Sequence, residues 1–447
     1  MFTGAASSNP TSIDINPAAI GLSVVSEVYI AALGVIDRYS IDLDAIDVDT
    51  GARSAGPDGA TDYIASPGGA LSLVGHTGAD SRITLGFQVL KTAPGERFVE
   101  NNAFRYHTMG GYHRTVSPLT IAASVRLTKR LYVGVSIAAQ SNFLKLRYAR
   151  DTALEAGRDP DRGITSDCNG APCGVENPVA DEIYEIEADS GLFSTSIIAV
   201  NLGAVVRIAK DMWLGVGYHA PPGLAIQNEL TGQMNVVRAP RDMREQVTGA
   251  ASVYIAQPAS VDVELRARPR RLLELVVGGR WEDLSRFQTY DVRGYGSTLP
   301  TNFIPEWQPR PRGFHDTFAL WAGVEQVERE SPLVLGARIG IETSALSDRR
   351  TSPLTIAPTS ATLDLGAQYA LSGQLRVQLT YGLQYFPTVD VEDSAFDPRA
   401  RLRCFDSGFD YSTPGCTSVR HGYAIATATG EYQRIEQAIR LAVRVEL

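Results

Sequence analysis

Ile435-Glu-Gln-Ala-Ile-Arg-Leu-Ala-Val-Arg-Val-Glu-Leu447 closes the chain on a two-residue period. Its odd positions are Ile435, Gln437, Ile439, Leu441, Val443, Val445 and Leu447; its even positions are Glu436, Ala438, Arg440, Ala442, Arg444 and Glu446. Successive side chains of a strand point to opposite faces, so the segment presents one mostly aliphatic face and one polar face. The same phase returns in Leu375, Val377, Leu379, Tyr381, Leu383 and Tyr385 against Arg376, Gln378, Thr380, Gly382 and Gln384. It returns again in Val133, Val135 and Ile137 against Gly134, Ser136, Ala138 and Gln140. A tilted strand crosses hydrocarbon in about nine to eleven such residues, provided that a closed ladder pairs every backbone group. A soluble antiparallel sheet with one wet face has the same period, so the spacing between segments must decide.

That spacing alternates. Short connections are expected at Thr77–Ser81, Leu127–Arg130, Ala209–Met212, Arg268–Arg271, Glu328–Pro332 and Leu371–Gln374. Between them lie long ones near Leu43–Ala65, Pro94–His107, Asp151–Ser190, Thr231–Gln246, Arg293–Phe314, Ala345–Thr359 and Pro387–Gly422. Outer-membrane barrels sort connections this way, with short turns in the periplasm and long loops outside. Six turns and seven loops join fourteen strands, so the fold class is all-β: a 14-stranded antiparallel transmembrane β-barrel. Tyr132, Trp213 and Tyr369 beside short turns, with Tyr148 and Tyr385 near the other rim, are expected in an aromatic girdle.

Composition narrows function. The chain has 447 residues and a net charge of −9, which argues against nucleic acid as a partner. No linker divides it, so one barrel domain uses it up. No nucleophile elbow, phosphate-binding glycine loop or metal-binding histidine pair stands in it, so the expectation is a protein that is not an enzyme and needs no cofactor. Cys168 with Cys173 and Cys404 with Cys416 form two local pairs in predicted external loops. They are expected to be disulfides made in an oxidising compartment, with zinc the alternative and no histidine spaced to support it. The stretch Asp151–Ser190 carries eleven acidic residues and two arginines. A solvated charge run accounts for it, as would divalent cations bridging it to lipopolysaccharide.

Fourteen strands enclose a lumen wider than its own side chains fill, and one segment without strand pattern could fill it: residues 1–21, rich in small residues and turn formers. Asn16-Pro17-Ala18-Ala19-Ile20-Gly21 resembles the hatch motif of the FadL-type long-chain fatty-acid transporter family, which includes TodX-like hydrocarbon channels. The resemblance continues through Ala199-Val-Asn-Leu-Gly-Ala-Val-Val-Arg-Ile, Met212-Trp-Leu-Gly-Val-Gly-Tyr-His-Ala-Pro, Gln257-Pro-Ala-Ser-Val, Gly279-Arg-Trp-Glu-Asp-Leu-Ser-Arg-Phe, His315-Asp-Thr-Phe-Ala-Leu and Gly430-Glu-Tyr. It implies a hatch over residues 1–21, with Asn16, Pro17 and Ala18 in a tight turn on the inner wall, and a barrel over 22–447. The family has more residues before Asn-Pro-Ala and a secretion signal ahead of those, so the hatch is expected to be truncated. The family usually ends in an aromatic residue, where this chain has Leu447.

The resemblance also implies function: passive uptake of hydrophobic small molecules, long-chain fatty acids or hydrocarbons, by a monomer among the lipid and lipopolysaccharide of the bacterial outer membrane. A secretion or assembly factor that binds exported proteins, and a polar-solute porin, are the rivals. On the inferred lumen face stand Arg280, Arg338, Arg376, Arg440 and Arg444. Buried charges are normally paired, so bracing the wall is one role; a free arginine gripping a ligand carboxylate is the other. The family's side exit lies at the third strand, here Arg82–Ala93 running into Pro94-Gly95. Gly86 offers no side chain to block a gap and Pro94 no amide to donate, so a window is expected there.

Overall fold

The computed structural model describes residues 2–47, 52–56, 60–77, 81–92, 97–98, 110–150, 182–190, 198–221, 228–238, 245–270, 272–295, 307–327, 332–352, 355–392, 394 and 424–447. Fourteen strands form a closed antiparallel barrel. We number them β1 (Glu27–Asp47), β2 (Ala60–His76), β3 (Ile83–Thr92), β4 (Gly110–Arg126), β5 (Leu131–Arg150), β6 (Ile198–Ala209), β7 (Met212–His219), β8 (Ser260–Arg270), β9 (Leu273–Glu282), β10 (Thr317–Gln326), β11 (Leu333–Glu342), β12 (Ser360–Ala370), β13 (Leu375–Val391) and β14 (Ala424–Glu446). Each pairs with its sequence neighbours, and β1 closes the ring on β14 from Glu27↔Glu446 to Asp47↔Ala424. The six short connections fall where the spacing put them.

The outside of the ring is apolar. Ile439 and Leu441 are each 51% exposed, while the adjacent Ala442 is 1% exposed. Ile30, Ile121, Ile137, Leu202, Val277, Leu320, Ile339 and Leu379 carry the exposed face around the circumference. In water each such side chain would forfeit roughly 1.5–3 kcal/mol of burial, so this belt is made for a hydrocarbon surround.

Parity corrects the aromatic girdle. Tyr369 and Tyr385 are outward, at 48% and 49% exposed. Tyr132 and Trp213 instead pack inward against Ala18, Ala19 and Leu22. The reason lies in the sequence: Tyr132 shares the phase of Gly134 and Ser136, and Trp213 that of Gly215 and Gly217, both lumen phases. Tyr148 is fully buried, stacked on Tyr184 with ring centroids 5.2 Å apart.

Five expected loops contain strands, two of them short, at Arg53–Ala55 and Arg97–Phe98, and three of them longer. Glu182–Asp189 pairs with the outer half of β5, then with Asn228–Arg238; that strand pairs with Glu245–Ile255, which pairs with Thr289–Tyr295, which pairs with Trp307–Pro311. This outer sheet buries Leu144, Leu146, Ile186, Met234, Val253 and Phe287 in one apolar cluster. The chain leaves the barrel beside prolines: β7 and β8 stop pairing at His219↔Ser260, with Pro221 and Pro258 just beyond. A proline has no amide for the ladder, so the strands part and take new partners. Buried side chains satisfy the junction: Gln257 Nε2 donates to Asn142 Oδ1 (2.5 Å), and Asn228 Nδ2 to Gln257 Oε1 (3.3 Å). Cys168, Cys173, Cys404 and Cys416 lie outside the described residues.

Candidate ligand path inside the barrel

Residues 2–22 lie within the ring as two short 3₁₀ turns, Pro10–Asp14 and Pro17–Leu22. Asn9 and Asn16 each open a turn: their side-chain oxygens accept from the Thr11 N–H (3.1 Å) and the Ala18 N–H (3.0 Å), and a proline supplies the first helical φ. Asn16 is fully buried, and its Nδ2 donates to the carbonyls of Ala5 (2.5 Å) and of Ala204 in β6 (3.0 Å). The wall is shaped to receive this turn. Gly134, Gly203 and Gly217 stand directly opposite one another on β5, β6 and β7. A Cβ at Gly134 would overlap the Pro17–Ala18 backbone, one at Gly203 the Asn16 side chain, and one at Gly217 the Ile15 carbonyl. This glycine row was missed from the sequence, although all three residues occupy lumen phases in strands already singled out.

A second anchor is ionic. Arg266 of β8 is buried between Glu264 (2.7 Å), Glu274 (2.7 Å) and Glu325 (3.5 Å), and also donates to the Phe2 carbonyl (3.2 Å). Glu264 Oε1 accepts from the Ala6 N–H (3.2 Å). Arg266 is thus shared among three carboxylates and Arg268 also reaches Glu274, which offsets much of the buried negative charge, while Glu264 Oε2 has no hydrogen-bond partner among the described residues.

Between the N-terminal segment and the wall of β8–β14 and β1–β3 is a cavity of about 620 Å³. The five candidate arginines divide there. Arg376 pairs with Glu446 (2.6 Å) and Arg444 with Glu27 (2.6 Å), and neither lines the cavity. Arg338 lines it but is held by Asp364 (2.8 Å) and reaches the Thr3 carbonyl (3.4 Å). Arg280 and Arg440 also line it, and neither makes an ion pair among the described residues; they donate to hydroxyls, Ser260 Oγ (3.2 Å) and Thr380 Oγ1 (3.2 Å). Two guanidinium groups thus face the cavity without a direct ion pair among the described residues.

Among the described residues, the pairing of β3 with β4 stops before the end of β3. Gly86 is paired on both sides, with Val74 and Ala122, and the room it leaves is taken by Ile13 and Ile20 of the N-terminal segment. The β3–β4 ladder ends two residues later, at Gln88↔Thr120, while β3 continues along β2 to Thr92. Beyond Thr120, β4 carries a bulge at Ser117–Pro118. Among the described residues, β4 regains a partner on that side only at Gly111, with Arg97. Pro94 and Gly95 lie outside the described residues. Asp14 spans the last rung: its carboxylate accepts from Gln88 Nε2 and from Thr120 Oγ1 (3.1 Å). Asp14, Gln88 and Leu90 all line the cavity.

No protein-family model and no curated protein matches the sequence. Solved structures do match over nearly the whole chain. A Pseudomonas aeruginosa FadL homologue superposes with a TM-score of 0.72 at 16% identity, covering 99% of this chain and 98% of that one. The Ralstonia pickettii toluene transporter TbuX gives 0.58 at 15% identity, covering 99% and 96%. The Pseudomonas putida toluene transporter TodX gives 0.60 at 12% identity, covering 99% and 95%. At such identities the likeness establishes architecture, not activity: this chain has the FadL-type fold, a closed 14-stranded antiparallel barrel.

Proposed function

We propose that the protein is a passive channel of the bacterial outer membrane that takes up hydrophobic small molecules, long-chain fatty acids or hydrocarbons. The observation that carries this reading is the cavity of about 620 Å³ between the N-terminal segment and the wall. The solved relatives are named as a FadL homologue and toluene transporters, which supports the same class of cargo. In this reading residues 1–21 are a hatch seated by Asn16, Pro17 and Ala18 on the glycine row. Arg280 and Arg440 hold a ligand carboxylate, and Arg338, Arg376 and Arg444 brace the wall.

Release goes sideways. Exposing a chain to water costs roughly 0.8 kcal/mol per methylene, so a sixteen-carbon acid entering the periplasm directly would face about 10 kcal/mol. Leaving through the wall beyond Gln88↔Thr120 avoids that barrier. The hatch opposes the porin rival, because a continuous wet pore needs the space that residues 2–22 fill. The reading also pairs Cys168 with Cys173 and Cys404 with Cys416, and mass spectrometry of non-reduced peptides should find both bridges; free thiols in exported protein would remove them from the account.

Binding of labelled fatty acid, alkane and toluene to purified protein in a neutral detergent tests the proposal. Saturable binding of at least one of the three, at one site per chain, is expected. No binding of any, together with retention of a stable protein partner, would favour the assembly-factor rival.

A further inference from the structure

The short-connection rim of the barrel is charged on one side. In the first four turns, residues 77–82, 126–130, 207–211 and 268–271, nine lysines and arginines stand against two aspartates. In the last two, 326–332 and 371–374, one arginine stands against two glutamates. The ladder ends set the basic positions of successive turns side by side. The Arg126 N–H donates to the Arg82 carbonyl (2.8 Å), the Arg207 N–H to the Arg130 carbonyl (2.7 Å) and the Arg268 N–H to the Asp211 carbonyl (2.8 Å). One arc of the rim, from β2 to β9, is therefore a basic band.

The protein does little to neutralise this band. Arg82, Arg126, Lys129, Arg130, Arg207 and Lys210 make no ion pair among the described residues, and all but Arg207 are exposed. Arg268 does pair, with Glu274. Arg207 and Arg268 converge on one indole, at 5.7 and 5.2 Å from the Trp213 ring centroid. Cations held this close repel one another, so an anion supplied from outside stabilises the arrangement.

The apolar residues of the same turns select the kind of anion. Leu127, Ile208 and Leu272 are 50%, 51% and 54% exposed. Aliphatic tips beside cations suit the boundary between lipid head groups and acyl chains, where the tip is buried and the charge meets phosphate. The uncharged turn at 371–374 carries such a tip too, Leu371, so the whole rim reaches that boundary and only the arc adds charge.

We propose that the β2–β9 arc of the rim is a binding surface for anionic phospholipids of the adjoining membrane leaflet. Arg126, Lys129, Arg130 and Lys210 hold the phosphates, and Leu127 and Ile208 seat against the upper acyl chains. The proposal rests on the barrel spanning a membrane and not on the nature of its cargo. It gives the molecule a fixed lipid neighbour on the side that carries the β3–β4 seam.

Spin resonance of the full chain in phosphatidylcholine vesicles tests it, with spin-labelled phosphatidylglycerol or spin-labelled phosphatidylcholine as the probe. The motionally restricted lipid should favour phosphatidylglycerol by about threefold at low salt, and the preference should fade at about 1 M salt, where the Debye length is only about 3 Å. The variant R126Q/K129Q/R130Q/K210Q should lose the preference, and R349Q/R350Q, in the connection from β11 to β12 at the opposite end, should keep it. sn-Glycerol 3-phosphate should not displace the lipid. Equal partitioning of the two probes in wild type, or a preference unchanged in the quadruple variant, overturns the proposal. Displacement by glycerol phosphate overturns it as well, by making the arc a site for free anions. The channel reading is judged separately, by cargo binding.

Discussion

Gly203 is the residue on which the seating of the N-terminal turn depends most directly, since any side chain there would enter the space of the Asn16 amide. Gly203→Val should therefore unseat residues 13–18 and raise single-channel conductance in planar bilayers. Gly34→Val is the control, because a Cβ at Gly34 meets nothing within 4 Å. Equal conductance in the two variants would mean that the turn does not occlude the lumen. Arg266 is the other residue with a sharp expectation. Removing it as Arg266→Met takes the guanidinium away from buried Glu264 and leaves Glu274 to Arg268 alone, which should cost about 3–5 kcal/mol in urea unfolding. A loss below about 1 kcal/mol would show that water or rearrangement already satisfies those carboxylates.

At the scale of elements, the N-terminal segment and the β3–β4 seam act on each other. Asp14 bridges Gln88 and Thr120 at the last rung before the ladder stops, so a ligand that displaces the segment from the cavity also removes the clamp on the seam. Leu90 lies just past that rung and lines the cavity. Leu90→Trp should fill the opening and slow transfer from protein to bilayer by about tenfold, well beyond any loss of fatty-acid binding, read by stopped-flow fluorescence in nanodiscs. A parallel fall in binding would place Leu90 in the binding site rather than the exit. Gly86 cannot serve for this test. A bulky residue there would strike Ile13 and Ile20 and move the hatch before it blocked any window.

For the whole molecule, the barrel was legible because two signals agreed: the period of strands such as Leu375–Tyr385 and the strict alternation of short and long connections. The outer sheet was not, since Glu182-Ile-Tyr-Glu-Ile-Glu-Ala-Asp189 hides a strand period inside an acidic run that reads as solvated loop. The lumen charges could be listed but not sorted. Whether Arg444 meets Glu27, 417 residues away, is decided by register across the closing seam, and whether Arg440 meets the Thr380 hydroxyl by register between β13 and β14. The glycine row escaped for the same reason, because what it accommodates is remote in sequence. The aromatic misassignment was avoidable, since phase alone turns Tyr132 and Trp213 inward.

The central claim is that a hydrophobic ligand occupies the space between the N-terminal segment and the wall. Crystals soaked with 12-bromododecanoate, measured at the bromine absorption edge, test it most directly. The account predicts an anomalous peak inside the cavity bounded by Thr3, Asp14, Arg280 and Arg440. Bromine confined to the detergent belt outside the barrel, with the cavity empty, would contradict it.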